Sequence, residues 1–147
     1  MEIEMFRQMT AAAAISLALA GAVWAETVDV KMLNKGEAGT MVFEPAFVKL
    51  SPGDSIRFVA ADKGHNAETT EGMLPEGATP FVGKINEELT VTFDVPGLYG
   101  VHCKPHYAMG MVLVIAVGDV TTVPEGFLEG RIPKKAKERF EAALVGL

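Results

Sequence analysis

Polar and apolar positions alternate with period two along several short runs of the chain. Over Thr27–Leu33, Val28, Val30 and Met32 fall on one face and Thr27, Asp29 and Lys31 on the other. Leu89–Val95 alternates more cleanly still, with Leu89, Val91, Phe93 and Val95 directed one way and Thr90, Thr92 and Asp94 the other. Phe47–Leu50, Ser55–Ala60 and Leu98–His102 read as further strands. Met111–Val117 is apolar without interruption, the pattern of a strand covered on both faces. Between these runs stand turn-forming clusters, "NKGEAG", "SPGD", "ADKGHN", "LPEG" and "VPGLYG". Short strands spaced by regular turns predict an all-β protein, a Greek-key β-sandwich.

Beyond Val123 the period changes. Pro133–Leu147 places Ala136, Phe140 and Leu144 four residues apart, with Lys134, Lys135, Lys137, Glu138, Arg139 and Glu141 around them. This is an amphipathic helix, and Pro133 suits its first turn. One or two short helices are expected within 123–147, packed on the sandwich as part of one domain spanning 26–147.

The first residues need separate treatment. Ala11–Val23 is apolar but too short to span a bilayer, and it ends in "AVWA", with small residues where a signal peptidase reads. Residues 1–25 are therefore expected to be a secretory signal, cleaved before Glu26, with translation starting at Met1 or Met5. Cleavage removes Glu2, Glu4 and Arg7, so a net charge of −6 becomes −5. A mildly acidic chain argues against a nucleic-acid partner. Once the signal is gone, no segment remains for the membrane, and the expectation is an exported monomer.

Export makes the cysteine count informative. Cys103 is the only cysteine, so no disulfide can form within the chain. It stands in "YGVHCKPHYAMGMV", three residues before His106, with Met109 and Met111 beyond. Cys103, His106 and Met111 can converge from one strand–loop–strand corner, and His65, in "KGHN", is the remaining distant candidate for a fourth donor. Each alone is readily explained by packing or by a surface loop. Together, a thiolate, two imidazoles and a weak thioether make the blue-copper donor set. Structural zinc recruits more cysteines, and catalytic zinc avoids thioether. A Cys–His hydrolase would need an oxyanion site and a third orienting group, for which the chain offers no evident residues. A periplasmic copper chaperone or storage protein remains as the alternative, but would need exposed, labile donors.

With these residues in view, the chain resembles the cupredoxin family, and within it the pseudoazurins. The resemblance runs from "VDVKMLNKG" and "MVFEPAFVKLSPGDSIRFV" through "KGHN" and "YGVHCKPHYAMGMV" to the helical tail, which plastocyanins and amicyanins lack. It implies one type 1 copper held at positions matching His65, Cys103, His106 and Met111. Met111 is favoured over Met109 because it matches the family position and begins the apolar strand. The resemblance implies a periplasmic one-electron carrier, not an enzyme, that donates to redox proteins such as copper nitrite reductase in denitrification. Around the metal, Asn66 is expected to bond across to the ligand loop, Pro105 to stiffen that loop and withhold an N–H from the sulfur, and Met41 to pack near the exposed ligand histidine. Lys35, Lys63, Lys104 and Lys134, with an exposed Met109, are expected to form a basic ring around an apolar patch for transient electrostatic docking. His102 departs from the family, which often carries lysine there, and is expected to make that ring less positive.

Overall fold

A computed structural model describes residues 24–147. The signal expected at 1–25 lies, up to residue 23, outside the described residues. Eight strands form two four-stranded sheets. The first contains β1 (Thr27–Gly36), β2 (Gly39–Glu44), β4 (Ser55–Val59) and β6 (Leu89–Thr92), in the order β2-β1-β4-β6. The second contains β3 (Phe47–Leu50), β5 (Glu68–Thr69), β7 (Gly97–His102) and β8 (Val112–Val117), in the order β3-β8-β7-β5. The β1–β4 and β3–β8 pairs are parallel and the others antiparallel.

The main core fills the space between the sheets. Val30, Met32, Ile56 and Phe58 from one face meet Val101, Leu113, Ile115 and Val117 from the other. Phe43, Phe58, Phe81, Phe93 and Tyr99 form a run of ring contacts with centroids 5.1–6.1 Å apart. A second core lies outside the β8 sheet, where Val112, Val114 and Ala116 meet Phe127, Ala136 and Phe140. The unbroken apolar run of β8 is thus explained: its alternate residues enter two cores.

One α-helix is present among the described residues, α1 (Lys134–Leu144). The segment Pro124–Leu128, where a second helix was possible, folds as a turn that inserts Phe127 beneath α1. The strand expected over Leu89–Val95 ends at Thr92, yet Phe93 stays buried and its N–H bonds to Asp54 O at 2.9 Å. β2 has no counterpart in the sequence-based expectation. Val42 and Phe43 are both buried although adjacent, so simple alternation fails, and Met41 just before them is left-handed at φ 52°.

Candidate metal centre

The end of β7, the start of β8 and the turn after β4 meet at one end of the sandwich. Cys103 follows β7 directly. Its N–H bonds to Met111 O at 3.0 Å, while the Met111 and Met109 N–H groups both bond to His106 O, at 3.2 and 3.0 Å. A 3-10 turn over Tyr107–Met109 closes the loop, and Gly110 leaves it in the left-handed region at φ 88°. The loop between the strands is therefore a tight, internally bonded corner.

Inside this corner, the donor atoms of His65, Cys103 and His106 lie within 4.8 Å of one another. Nδ1 of His65 is 3.8 Å from Cys103 Sγ, Nδ1 of His106 is 3.6 Å from it, and the two Nδ1 atoms are 3.2 Å apart. Both rings thus aim the same nitrogen at a common point beside the thiol. Cys103, His65 and Met111 are fully buried, and His106 is half-buried. Met111 lies in the main core beside Cys103, whereas Met109 is 41% exposed. That contrast separates the two methionines: the buried one has a sulfur held in place.

Burial pushes the Cys103 thiol up, against backbone N–H groups of Asn66 and His106 that pull it down. Burial pushes the His65 imidazole down, and the neighbouring His106 adds to this against Asp62. A buried thiol and the buried His65 imidazole are poorly placed to hold charge alone. A cation at their common point reverses the balance, since it deprotonates a coordinating thiol outright. Two imidazoles and a thiolate with a buried thioether suit copper by chemistry.

The atoms around the donors hold them in place. His65 Nε2 pairs with Asn34 Oδ1 at 2.8 Å, and the Asn34 N–H donates to Asp62 Oδ2 at 2.8 Å. This fixes the ring that presents Nδ1 inward. Asn34 sits near the end of β1, 31 residues from His65, and no sequence signal identifies it. Asn66 Oδ1 accepts the Lys104 N–H at 2.7 Å, while its Nδ2 donates to Gly83 O and Glu68 Oε2, both at 3.1 Å. Asn66 therefore links the His65 turn to the Cys103 loop. Pro105 is exposed in that loop. Met41 is half-buried against the main core.

Lys35, Lys63, Lys104 and Lys134 are all exposed. His102 does not join them at the surface. Its ring stacks on Tyr107 at 4.2 Å, Nδ1 lies 2.7 Å from Thr70 Oγ1, and Nε2 is 2.9 Å from Glu68 Oε1. Burial lowers its proton affinity despite Glu68. The imidazole is also a buttress between β5 and the ligand loop. Val82 and Ile85, exposed near the Asn66–Gly83 bond, are apolar surface that the sequence reading passed over.

Residues 30–118 match the family model described as copper binding proteins of the plastocyanin/azurin family. The chain is 53% identical over 136 residues to pseudoazurin from Paracoccus pantotrophus, covering 92% of this chain and 94% of that one. It is 51% identical over 116 residues to pseudoazurin from Methylorubrum extorquens, covering 78% of each. The crystal structure of pseudoazurin from Methylobacterium extorquens superposes with a TM-score of 0.77 at 45% identity, covering 82% of this chain and 98% of that one.

Proposed function

The chain belongs to the pseudoazurins, within the plastocyanin/azurin family of copper-binding proteins, and from that premise we propose that it is an exported electron carrier serving reductases of denitrification. It is a blue copper protein with one type 1 copper, and an electron carrier rather than an enzyme. The observation that carries the site assignment is the convergence of His65 Nδ1, Cys103 Sγ and His106 Nδ1. On this reading His65, Cys103 and His106 are the strong donors and Met111 the weak axial one.

Bound copper supplies a one-electron couple between Cu(II) and Cu(I). The chain's contribution is a donor set that barely rearranges. Asn34 locks the His65 ring, Asn66 ties the two ligand segments together, and the hydrogen bonds among His106, Met109 and Met111 keep the loop closed. Burial of Cys103 and Met111 keeps water from the sulfurs. A chaperone or storage role fits less well, because labile donors would be exposed.

The partner side of the reading rests on exposed lysines around the same end: Lys35 one residue after Asn34, Lys63 two before His65 and Lys104 beside Cys103. These favour an acidic redox partner such as copper nitrite reductase, met transiently by a monomer. Export to the periplasm is part of the same reading. The Glu26 nitrogen donates to Asp54 Oδ1 at 2.9 Å, so cleavage before Glu26 would set a terminal ammonium against a waiting carboxylate.

Titration with Cu(II) is expected to raise an intense blue thiolate-to-copper band that bleaches reversibly on reduction. Cys103→Ser should abolish the band while far-ultraviolet dichroism stays that of a folded β-protein. A blue spectrum in that variant would end the copper assignment.

A further inference from the structure

Arg139 projects from α1 and is half-buried, and no carboxylate pairs with it among the described residues. Its guanidinium is instead directed at backbone carbonyls. Nη1 donates to Met41 O at 2.7 Å and to Gly110 O at 3.1 Å, and Nη2 donates to Thr40 O at 2.9 Å. These carbonyls belong to two segments far apart in the chain, β2 and the exit of the ligand loop. One nitrogen, Nη1, bridges the two segments, and Nη2 in the same plane adds a second bond to β2.

The two segments share a property. Met41 at φ 52° and Gly110 at φ 88° are both left-handed, a conformation that persists in a non-glycine residue only when its surroundings impose it. At Gly110 a side chain is excluded by space as well, since a Cβ would come within 2.7 Å of Arg139 Cδ and 3.1 Å of Lys135 O. The helix thus presses directly on the turn that ends the ligand loop.

Gly110 O and the Met111 N–H belong to one peptide group. Its oxygen is held by Arg139 and its N–H by His106 O at 3.2 Å. The plane of this peptide sets the direction in which the Met111 side chain leaves the backbone. We propose that Arg139 is a positioning residue for the axial thioether: by fixing the Gly110–Met111 peptide and the left-handed Met41 together, it makes the C-terminal helix part of the scaffold of the copper site. The proposal rests on Met111 being the axial donor. It assigns the helix a role in setting the reduction potential, beyond covering the outer face of β8.

The test uses Arg139→Met, which keeps an apolar stem and removes the donors, with Glu138→Gln on the exposed side of the same helix as control. In the copper-free protein, amide exchange at Gly110 and Met111 should accelerate by about tenfold or more, the scale of one lost charge-assisted hydrogen bond. In the copper-loaded protein the reduction potential should rise, because a loosened axial ligand favours the reduced ion. Glu138→Gln should move neither. If Arg139→Met does not fold, Arg139→Gln carries the same two readouts, since its shorter, uncharged side chain keeps a polar end but does not span to both carbonyls. Unchanged exchange and potential in a folded variant would overturn the proposal and leave Arg139 a helix anchor. Met111→Gln separates the two readings. If it shifts the potential while the Arg139 variants do not, the positioning role falls and the axial assignment stands. If Met111→Gln is also silent, the axial assignment falls and takes the positioning role with it.

Discussion

The His102 ring is held on three sides, by the Tyr107 face, Thr70 Oγ1 and the Glu68 carboxylate. Burial lowers its affinity for a proton below the ordinary value of 6.5, and Glu68 recovers only part of this. His65 is shifted the same way in the copper-free protein, first by burial and then by His106. The sign of the pH effect follows. Below about pH 6.5 the unfolded chain binds protons that the folded chain resists, so stability falls as pH drops. Urea midpoints of the copper-free protein should decline from pH 7 toward 5, and His102→Phe, which keeps the stack on Tyr107, should flatten part of that decline. Equal slopes in parent and variant would assign the whole effect to His65. At this scale the donor residues were legible because their chemistry is rare in combination: a lone cysteine between histidines, with methionines beyond, has few other uses. Asn34, Glu68 and Arg139 were not legible. Each acts through hydrogen bonds whose partners only the fold brings near, and Asn, Glu and Arg are ordinary surface residues in a sequence.

Elements were legible where one period governed them. β3, β4, β7 and β8 appear within a residue of where alternation or apolar continuity places them, β1 runs three residues further than its alternation, and the face of α1 follows Ala136 and Phe140. β2 was missed because its consecutive residues Val42 and Phe43 are both buried, Phe43 between the sheets and Val42 facing the groove beside α1. The turn at Pro124–Leu128 was open to a helical reading because one buried residue, Phe127, gives no period to count. The contact of β8 with α1 is where element packing meets the site, since Met111 opens directly into that strand. Phe140 is fully buried at the centre of the second core, and Phe140→Ala should cost roughly 3 to 5 kcal/mol in chemical denaturation. The blue band of the copper-loaded variant should survive below the unfolding transition, because the donors belong to the other core. Loss of colour in a still-folded variant would show that the two cores are not separable.

For the whole molecule, net charge and local charge point in opposite directions. The chain carries −6 in total, yet Lys35, Lys63 and Lys104 flank the residues that form one end of the sandwich. A uniformly acidic protein would be repelled by an acidic partner at long range. On the proposed reading, lysines placed beside the ligand residues would give an acidic protein a direction of approach. Met109 in the ligand loop, and Val82 and Ile85 on the neighbouring turn, are exposed, and on the same reading they would offer apolar surface for close contact. The two contributions separate experimentally, because charge steering decays over about 8 Å at physiological ionic strength and apolar contact does not. Electron transfer to an acidic reductase should therefore slow as salt rises. Lys35→Glu or Lys63→Glu should slow it further at low salt, with the difference from the parent closing as salt is added. Stopped-flow bleaching of the blue band against ionic strength measures this. Rates that ignore both salt and the substitutions would leave docking to the apolar residues alone and remove the lysines from the reading.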